Sequence, residues 1–258
     1  MTEPVLLVDK TDGIATLTLN RPDKMNALSH ELRSQFQEAI HEIREDSNIQ
    51  VVILTGAGRA FCAGLDLKEM GDSEFRKTET PVTDPATLLR SLPQPVIGAI
   101  NGLAVTGGLE ISLSCDVLII TPETKFADTH ARVGLVAGWG LSQRLSRVVG
   151  IYRAKEISLT GNYLSAEKAY EWGLANRIVP REELMPTAVA LARDMQSCVP
   201  EAMLTYKRMI DEGFDLPLGE AMSHELDLNR AHKSPAPETV ATRLSGVQNR
   251  GRNQAADS

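Results

Sequence analysis

Two glycine-bearing segments hold the residues of this chain best suited to chemistry. The first is Gly56-Ala57-Gly58-Arg59-Ala60-Phe61-Cys62-Ala63-Gly64-Leu65-Asp66-Leu67-Lys68, directly after an apolar run. The second is Asn101-Gly102-Leu103-Ala104-Val105-Thr106-Gly107-Gly108-Leu109-Glu110, also directly after one. Paired glycines that open a helix leave backbone N–H groups bare at the positive end of the dipole, a site for developing negative charge. Taken alone, the second segment reads equally as a tight strand-to-helix turn without a ligand. Gly56-x-Gly58 invites a dinucleotide-binding reading, but the third glycine of that fingerprint is Phe61 and no helix stands directly behind the turn. Cys62 lies within the first segment, yet no histidine neighbours it in sequence to activate the thiol.

The elements that position these segments follow from hydrophobic spacing. Val5 to Val8 and Ile14 to Leu19 flank the turn signal Asp12-Gly13 and read as a hairpin. Leu32, Phe36, Ala39, Ile40 and Ile43 fall at helical spacing, with Ser29 as N-cap. Val51 to Leu54, Val96 to Ile100 and Val117 to Ile120 are uninterrupted apolar runs, which predicts strands covered on both faces. Helices are predicted over 107–114, 141–149, 152–160 and 166–172, with a last short strand over 175–179. Beyond Pro180 the pattern is helical only, over 182–197, 201–211, 219–231 and 238–249. The polar stretch Gly71 to Pro85 reads as a mobile loop near a site entrance, and Gly251 to Ser258 as a mobile tail.

At 258 residues the chain accommodates one large domain, or one domain with a helical appendage. A net charge of -7 argues against a nucleic-acid partner, since phosphate binding needs a concentrated positive field. The apolar runs are far shorter than the roughly 20 residues needed to cross a bilayer, and Met1 to Lys10 lacks the layout of a signal peptide. A cytoplasmic, membrane-free protein is therefore the expectation. The three cysteines form no CxxC pair, so buried reduced thiols and no metal site are expected.

Together the two segments are more specific than either one. Ala-Phe-x-Ala-Gly-x-Asp at 60–66, then Pro-Val-Ile-x-Ala-Ile-Asn-Gly-x-Ala at 95–104 and Gly-Gly-x-Glu at 107–110, resembles the crotonase superfamily, the enoyl-CoA hydratases and isomerases. The similarity continues through Cys115-Asp116, Phe126, Gly134, Gly138, Gln143-Arg144-Leu145, Leu159-Thr160-Gly161, Ala166 and Gly173-Leu174-Ala175. The resemblance implies an α/β fold, with a spiral core of ββα units over 1–195 and a C-terminal helical region over 196–258 that forms a homotrimer or a dimer of trimers. It implies an acyl-CoA thioester as partner, with CoA entering as part of the substrate and no separate cofactor. The backbone N–H groups of Leu65 and Gly107 would grip the thioester oxygen and stabilise an enolate. Lys24, Met25, Ala27, Ala63, Asp66, Leu67, Lys68, Gly108 and Trp139 would contribute to the substrate and CoA groove. Lys24 and Lys68 read either as partners of the CoA phosphates or as solvated surface lysines.

Hydratases of the family use two glutamates to hold one water. Glu110 matches the first, whereas the family's Phe-Gly-x-Pro-Glu becomes Phe126-Ala127-Asp128-Thr129-His130, so His130 stands in the second place. A glutamate and a histidine both exchange protons near neutral pH, and this pair could still orient water and protonate C2. The alternative is that His130 only hydrogen-bonds beside the pocket. Asp128 falls two residues early for direct catalysis and could instead orient His130. Trp139 either shortens the acyl pocket or packs in the core. The leading expectation is hydration of a 2-enoyl-CoA; the alternatives are isomerisation with Glu110 as sole base, other enolate chemistry, and non-catalytic acyl-CoA binding.

Overall fold

The apolar runs become strands of two sheets. The computed structural model describes residues 4–71 and 81–256. Strands β1 (Leu6–Thr11) and β2 (Ile14–Leu19) form the expected hairpin, turned at Asp12 and Gly13, both with positive φ, at 51° and 76°. That pair of left-handed residues matches the twist of a two-residue hairpin turn. β3 (Val51–Gly56), β5 (Val96–Ile100), β7 (Val117–Ile120) and β10 (Arg177–Ile178) continue the sheet in parallel, in the order β1-β2-β3-β5-β7-β10.

Both faces of the central strands β3, β5 and β7 are covered, as continuous apolarity predicts. On one face Val51, Ile53, Ile97, Ala99 and Ile119 cluster with Leu184, Ala188 and Ala192 of the helix Arg181–Gln196. The alternate residues Val52, Leu54, Val96, Ile100, Leu118 and Ile120 join the main core with Leu32, Phe36, Ile40 and Ile43 of helix His30–Glu45. Ser29 caps that helix, its hydroxyl accepting from the Leu32 N–H at 3.2 Å.

A second, smaller sheet runs β4-β6-β8-β9: Ala60–Cys62, Leu103–Val105, Lys125–Ala127 and Leu164–Ser165. Successive pairs β3/β4, β5/β6 and β7/β8 each give their first strand to the large sheet and their second to the small one. This is the ββα repeat. The small sheet is absent from the sequence reading because strands of three residues are too short to show a period. β4, β6 and β8 pair in parallel, so their C-terminal ends lie side by side.

Other elements depart from expectation in detail. The helix opened by Gly107 ends at Ser112, short of 114, and the strand expected over 175–179 shrinks to Arg177–Ile178. Leu67–Gly71 and Pro85–Arg90 are additional short helices, the latter capped by Asp84 accepting from the Thr87 N–H at 2.7 Å. Most of the loop expected between Gly71 and Pro85 lies outside the described residues. Helix Pro237–Ala256 runs into the segment expected to be a mobile tail, whose last two residues lie outside the described ones. By internal contact the chain divides into two units, Met1–Leu204 and Thr205–Ser258, so the expected division at 195/196 falls within the first. The second carries helices Leu218–Ala231 and Pro237–Ala256. Among the described residues no helix is long and apolar enough to cross a membrane.

Two buried asparagines tie the β3–β4 turn. Asn26 donates to the carbonyls of Ala57 and Ala60 at 2.9 and 2.8 Å and accepts from the Arg21 N–H at 2.8 Å. Asn101 donates to the carbonyls of Gly58 and Ala60 and accepts from the Gly56 N–H at 3.1 Å. Replacing Asn26 by Ala strands these groups where water does not reach, and each orphaned group costs about 1–3 kcal/mol. Asn26→Ala is therefore expected to lower the unfolding free energy by about 3 kcal/mol, read from the midpoint of a urea denaturation curve; a change below about 1 kcal/mol would show that the asparagine does not hold the turn.

Candidate active site

The C-terminal ends of β4, β6 and β8 release three segments that converge on one cavity. After β4 the chain reaches Gly64, with φ +88°; a Cβ there would lie 1.9 Å from Thr106 Oγ1 and 3.2 Å from the Gly107 nitrogen. The two backbones are therefore in direct apposition, and only glycine fits. Thr106, after β6, is itself at φ 49°, a costly conformation for a β-branched residue, worth about 1–3 kcal/mol. Its N–H donates to the carbonyl of Ala127 at the end of β8, at 2.9 Å, which pins the turn.

This apposition sets two amides beside each other. Leu28 forms a parallel bridge to Leu65, with its N–H donating to Gly64 O and its carbonyl accepting from Asp66 N–H. Such a bridge uses the amides flanking Leu65 and leaves the N–H of Leu65 on the other side. Gly107 is the first residue of its helix, so its N–H has no acceptor within the helix. Among the described residues neither N–H donates to a protein acceptor, and both residues line one cavity of about 220 Å³. The helix has only six residues, so these bare N–H groups matter more here than a summed dipole.

Glu110 stands one turn into that helix and is 3% exposed. Its Oε1 accepts from the Trp139 N–H at 2.8 Å, and the Leu141 N–H also donates to the carboxyl. Burial raises the pKa of Glu110 above its ordinary carboxyl value, against the opposing pull of these two amides and of His130. Arg90 braces the arrangement from behind, donating to Ser114 Oγ and to the Trp139 carbonyl, while Ser114 donates to the Glu110 carbonyl at 2.9 Å. Nothing in the spacing of Arg90 signalled this role.

His130 opens a short turn, His130–Val133, after β8. Its Nδ1 lies 2.7 Å from Asp128 Oδ1, and its Nε2 lies 3.9 Å from Glu110 Oε2. The Asp128 hydrogen bond holds His130 above the ordinary imidazole value, against partial burial. Burial opposes ionisation of Asp128, but hydrogen bonds from His130 and Ser158 outweigh it and keep the carboxyl below its ordinary value.

The cavity wall includes Ala63, Leu65, Leu67, Gly107, Glu110, His130 and Trp139 of the sequence-derived set. Met70, Val133, Leu135 and Val136 add apolar surface that the motifs did not point to. Trp139 lines the cavity and packs against the main core, with its ring 2.9 Å from where a Gly107 Cβ would stand. Lys24, Met25, Ala27, Asp66, Lys68 and Gly108 are not on this wall. Asp66 is paired with Arg21 at 3.0 Å, and Gly108 packs so closely that a Cβ would stand 2.2 Å from the Cys62 carbonyl. Lys24 and Lys68 are exposed, and Ala27 O accepts from the Arg21 guanidinium. Cys62 is fully buried, with its thiol pushed up to about 12 by burial, which disqualifies it as a nucleophile. Among the described residues no cluster of His, Cys, Asp and Glu is arranged to hold a metal ion.

Residues 9–241 match the enoyl-CoA hydratase/isomerase family. The chain is 39% identical over 234 residues to a probable peroxisomal enoyl-CoA hydratase 1 of Arabidopsis thaliana, covering 90% of this chain and 87% of that one. It is 34% identical to the 1,2-epoxyphenylacetyl-CoA isomerase of Escherichia coli, over 84% of this chain and 86% of that one. A crystal structure of an enoyl-CoA hydratase from Mycobacterium tuberculosis superposes with a TM-score of 0.85 at 30% identity, covering 95% of this chain and 96% of that one. With the ββα repeat and the two apposed glycine turns, these matches establish that the chain belongs to the enoyl-CoA hydratase/isomerase family of the crotonase superfamily.

Proposed function

We propose that this protein adds water across the double bond of a 2-enoyl-CoA. The observation that carries the reading is the 3.9 Å separation between Glu110 Oε2 and His130 Nε2. It is too long for a direct hydrogen bond and short enough for one water to touch both groups. The thioester oxygen sits between the Leu65 and Gly107 N–H groups, which take up the negative charge as the enolate forms; one such donor is worth about 3–4 kcal/mol in the transition state. Glu110 receives a proton from the water that attacks C3. His130, as imidazolium, delivers a proton to C2, and transfer of the first proton across the pair restores the site.

A second reading draws on the same geometry. Glu110 is the only carboxylate on the described cavity wall, and moving a double bond needs a single base that removes a proton at one carbon and returns it at another. One relative carries the name of an isomerase. Under this reading His130 is dispensable.

Two variants separate the readings. Glu110→Gln is expected to lower hydration of crotonyl-CoA by about a thousandfold, since positioned acid–base groups contribute about 10²–10⁴. His130→Gln is expected to lower hydration at least about a hundredfold. The measurement is loss of enoyl-thioester absorbance, with mass spectrometry of 2-enoyl and 3-enoyl substrates run in parallel. Full hydration activity in Glu110→Gln would sink both readings; conversion of the 3-enoyl substrate without any 3-hydroxyacyl product would favour the isomerase.

The pH dependence follows from the two shifts. Glu110 must be ionised to accept a proton, and its value is raised, so kcat/KM falls on the acid side above the ordinary carboxyl range. His130 must be protonated to donate, and its value is also raised, so activity falls on the alkaline side above the ordinary imidazole range. A bell with both limbs displaced upward is expected in a kcat/KM profile, and His130→Gln should remove the alkaline limb.

A further inference from the structure

We propose that Asp128 is a positioning residue that makes His130 the equivalent of a carboxylic acid, so that Asp128 and His130 act as one proton-donating unit opposite Glu110. The proposal rests on the hydration reading for its catalytic consequence, while the geometry of the pair stands independently. Asp128 Oδ1 lies 2.7 Å from His130 Nδ1, the distance of a charge-assisted hydrogen bond. This fixes Nδ1 as the nitrogen that donates to the carboxylate, and turns Nε2 toward Glu110 at 3.9 Å. A free imidazole has no such constraint on its tautomer or ring orientation.

The anchor is rigid. Asp128 is 5% exposed and directly follows β8, whose residues Phe126 and Ala127 are fully buried. Ser158, from the helix Ile151–Thr160, supplies a second hydrogen bond to its carboxylate. The ionisable groups acting on His130 are Asp128 and Glu110. Arg132, on the same turn, points away and donates to the Thr160 carbonyl. The helix packed against the turn thus offers Asp128 a neutral donor rather than a competing charge.

Charge accounting shows why a histidine needs this partner here. Two carboxyl groups sharing one proton carry one net negative charge. An ionised Asp128, an imidazolium at His130 and an ionised Glu110 also sum to one negative charge, with the transferable proton facing the water. Removing the charge at position 128 takes away the partner that favours the imidazolium and fixes its ring, so His130 becomes a weaker proton donor at C2, although the pocket and the oxyanion amides are untouched.

The test combines kinetics with direct observation of the imidazole. In Asp128→Asn, kcat for crotonyl-CoA is expected to fall about a hundredfold, the scale of a lost acid–base group, with KM changed less than about threefold. The alkaline limb of the kcat/KM profile should move to lower pH, and Asp128→Glu should recover part of the rate. Nitrogen-15 NMR of His130 should show a neutral form protonated at Nδ1 in the unaltered protein, and a lower titration midpoint in Asp128→Asn. The wild-type tautomer is readable even if the variant does not fold. A neutral His130 protonated at Nε2 in the unaltered protein, or an unchanged midpoint in folded Asp128→Asn, overturns the proposal. An unaltered protein with the expected tautomer and midpoint that hydrates no enoyl-CoA instead overturns the assigned reaction and leaves the pair standing.

Discussion

Everything at the site depends on the parallel pairing of three strands of three residues each, β4, β6 and β8. Parallel strands emerge from a sheet at the same edge, and ligands in such sheets bind beyond that carboxyl edge. Here the edge releases Gly64 and Leu65, then Thr106 and Gly107, then Asp128 and His130. A spiral of ββα units is a way to repeat one strand-and-turn geometry until several chemically distinct turns lie against each other. The large sheet supplies the stability that this small one lacks, since its strands are buried on both faces. The strain at Thr106 is tolerable because the surrounding pairing, including its N–H to Ala127 O, leaves the chain no other course.

The electrostatic design follows from burial. Glu110 is held by backbone amides rather than by a cation, so its carboxylate is oriented without being locked in the ionised state. Asp66, by contrast, is paired with Arg21 and serves structure. The two carboxylates lie on neighbouring segments yet have separate duties, because one faces a guanidinium and the other faces peptide N–H groups and an imidazole. Among the described residues that line the cavity, Glu110 and His130 are the titratable groups, with Asp128 behind His130.

The sequence disclosed the large sheet, the hairpin, the first helix and the two glycine turns because each leaves a local mark: a period, a cap or a steric requirement. Val51 to Leu54 read as a doubly covered strand, and so it is. The small sheet left no mark, because three residues do not make a period, and its strands are hidden inside the motifs Ala60-Phe61-Cys62 and Leu103-Ala104-Val105. Glu110 and His130 were legible by type and place; their separation was not, since it is set by the β6–β8 pairing. Asp128 was visible as a neighbour two residues away, but a hydrogen bond between residues i and i+2 requires the turn that follows β8. Arg90 was not legible at all, because its partners Ser114 and Trp139 come from distant parts of the chain.

Trp139 shows that pocket shape and proton chemistry are not separable here. Its ring lies against Gly107, and its backbone N–H holds Oε1 of Glu110. The ring and the amide belong to one residue, whose carbonyl is in turn held by Arg90. Shrinking the ring would loosen the packing against the Gly107 backbone, and movement of that residue would disturb its hydrogen bond to the Glu110 carboxylate as well. Glycines on either side, Gly138 and Gly140, the latter at φ 99°, let the backbone bend so that one indole and one amide reach both places. The shape of the cavity is therefore tied to the placement of the Glu110 carboxylate, because Trp139 touches both.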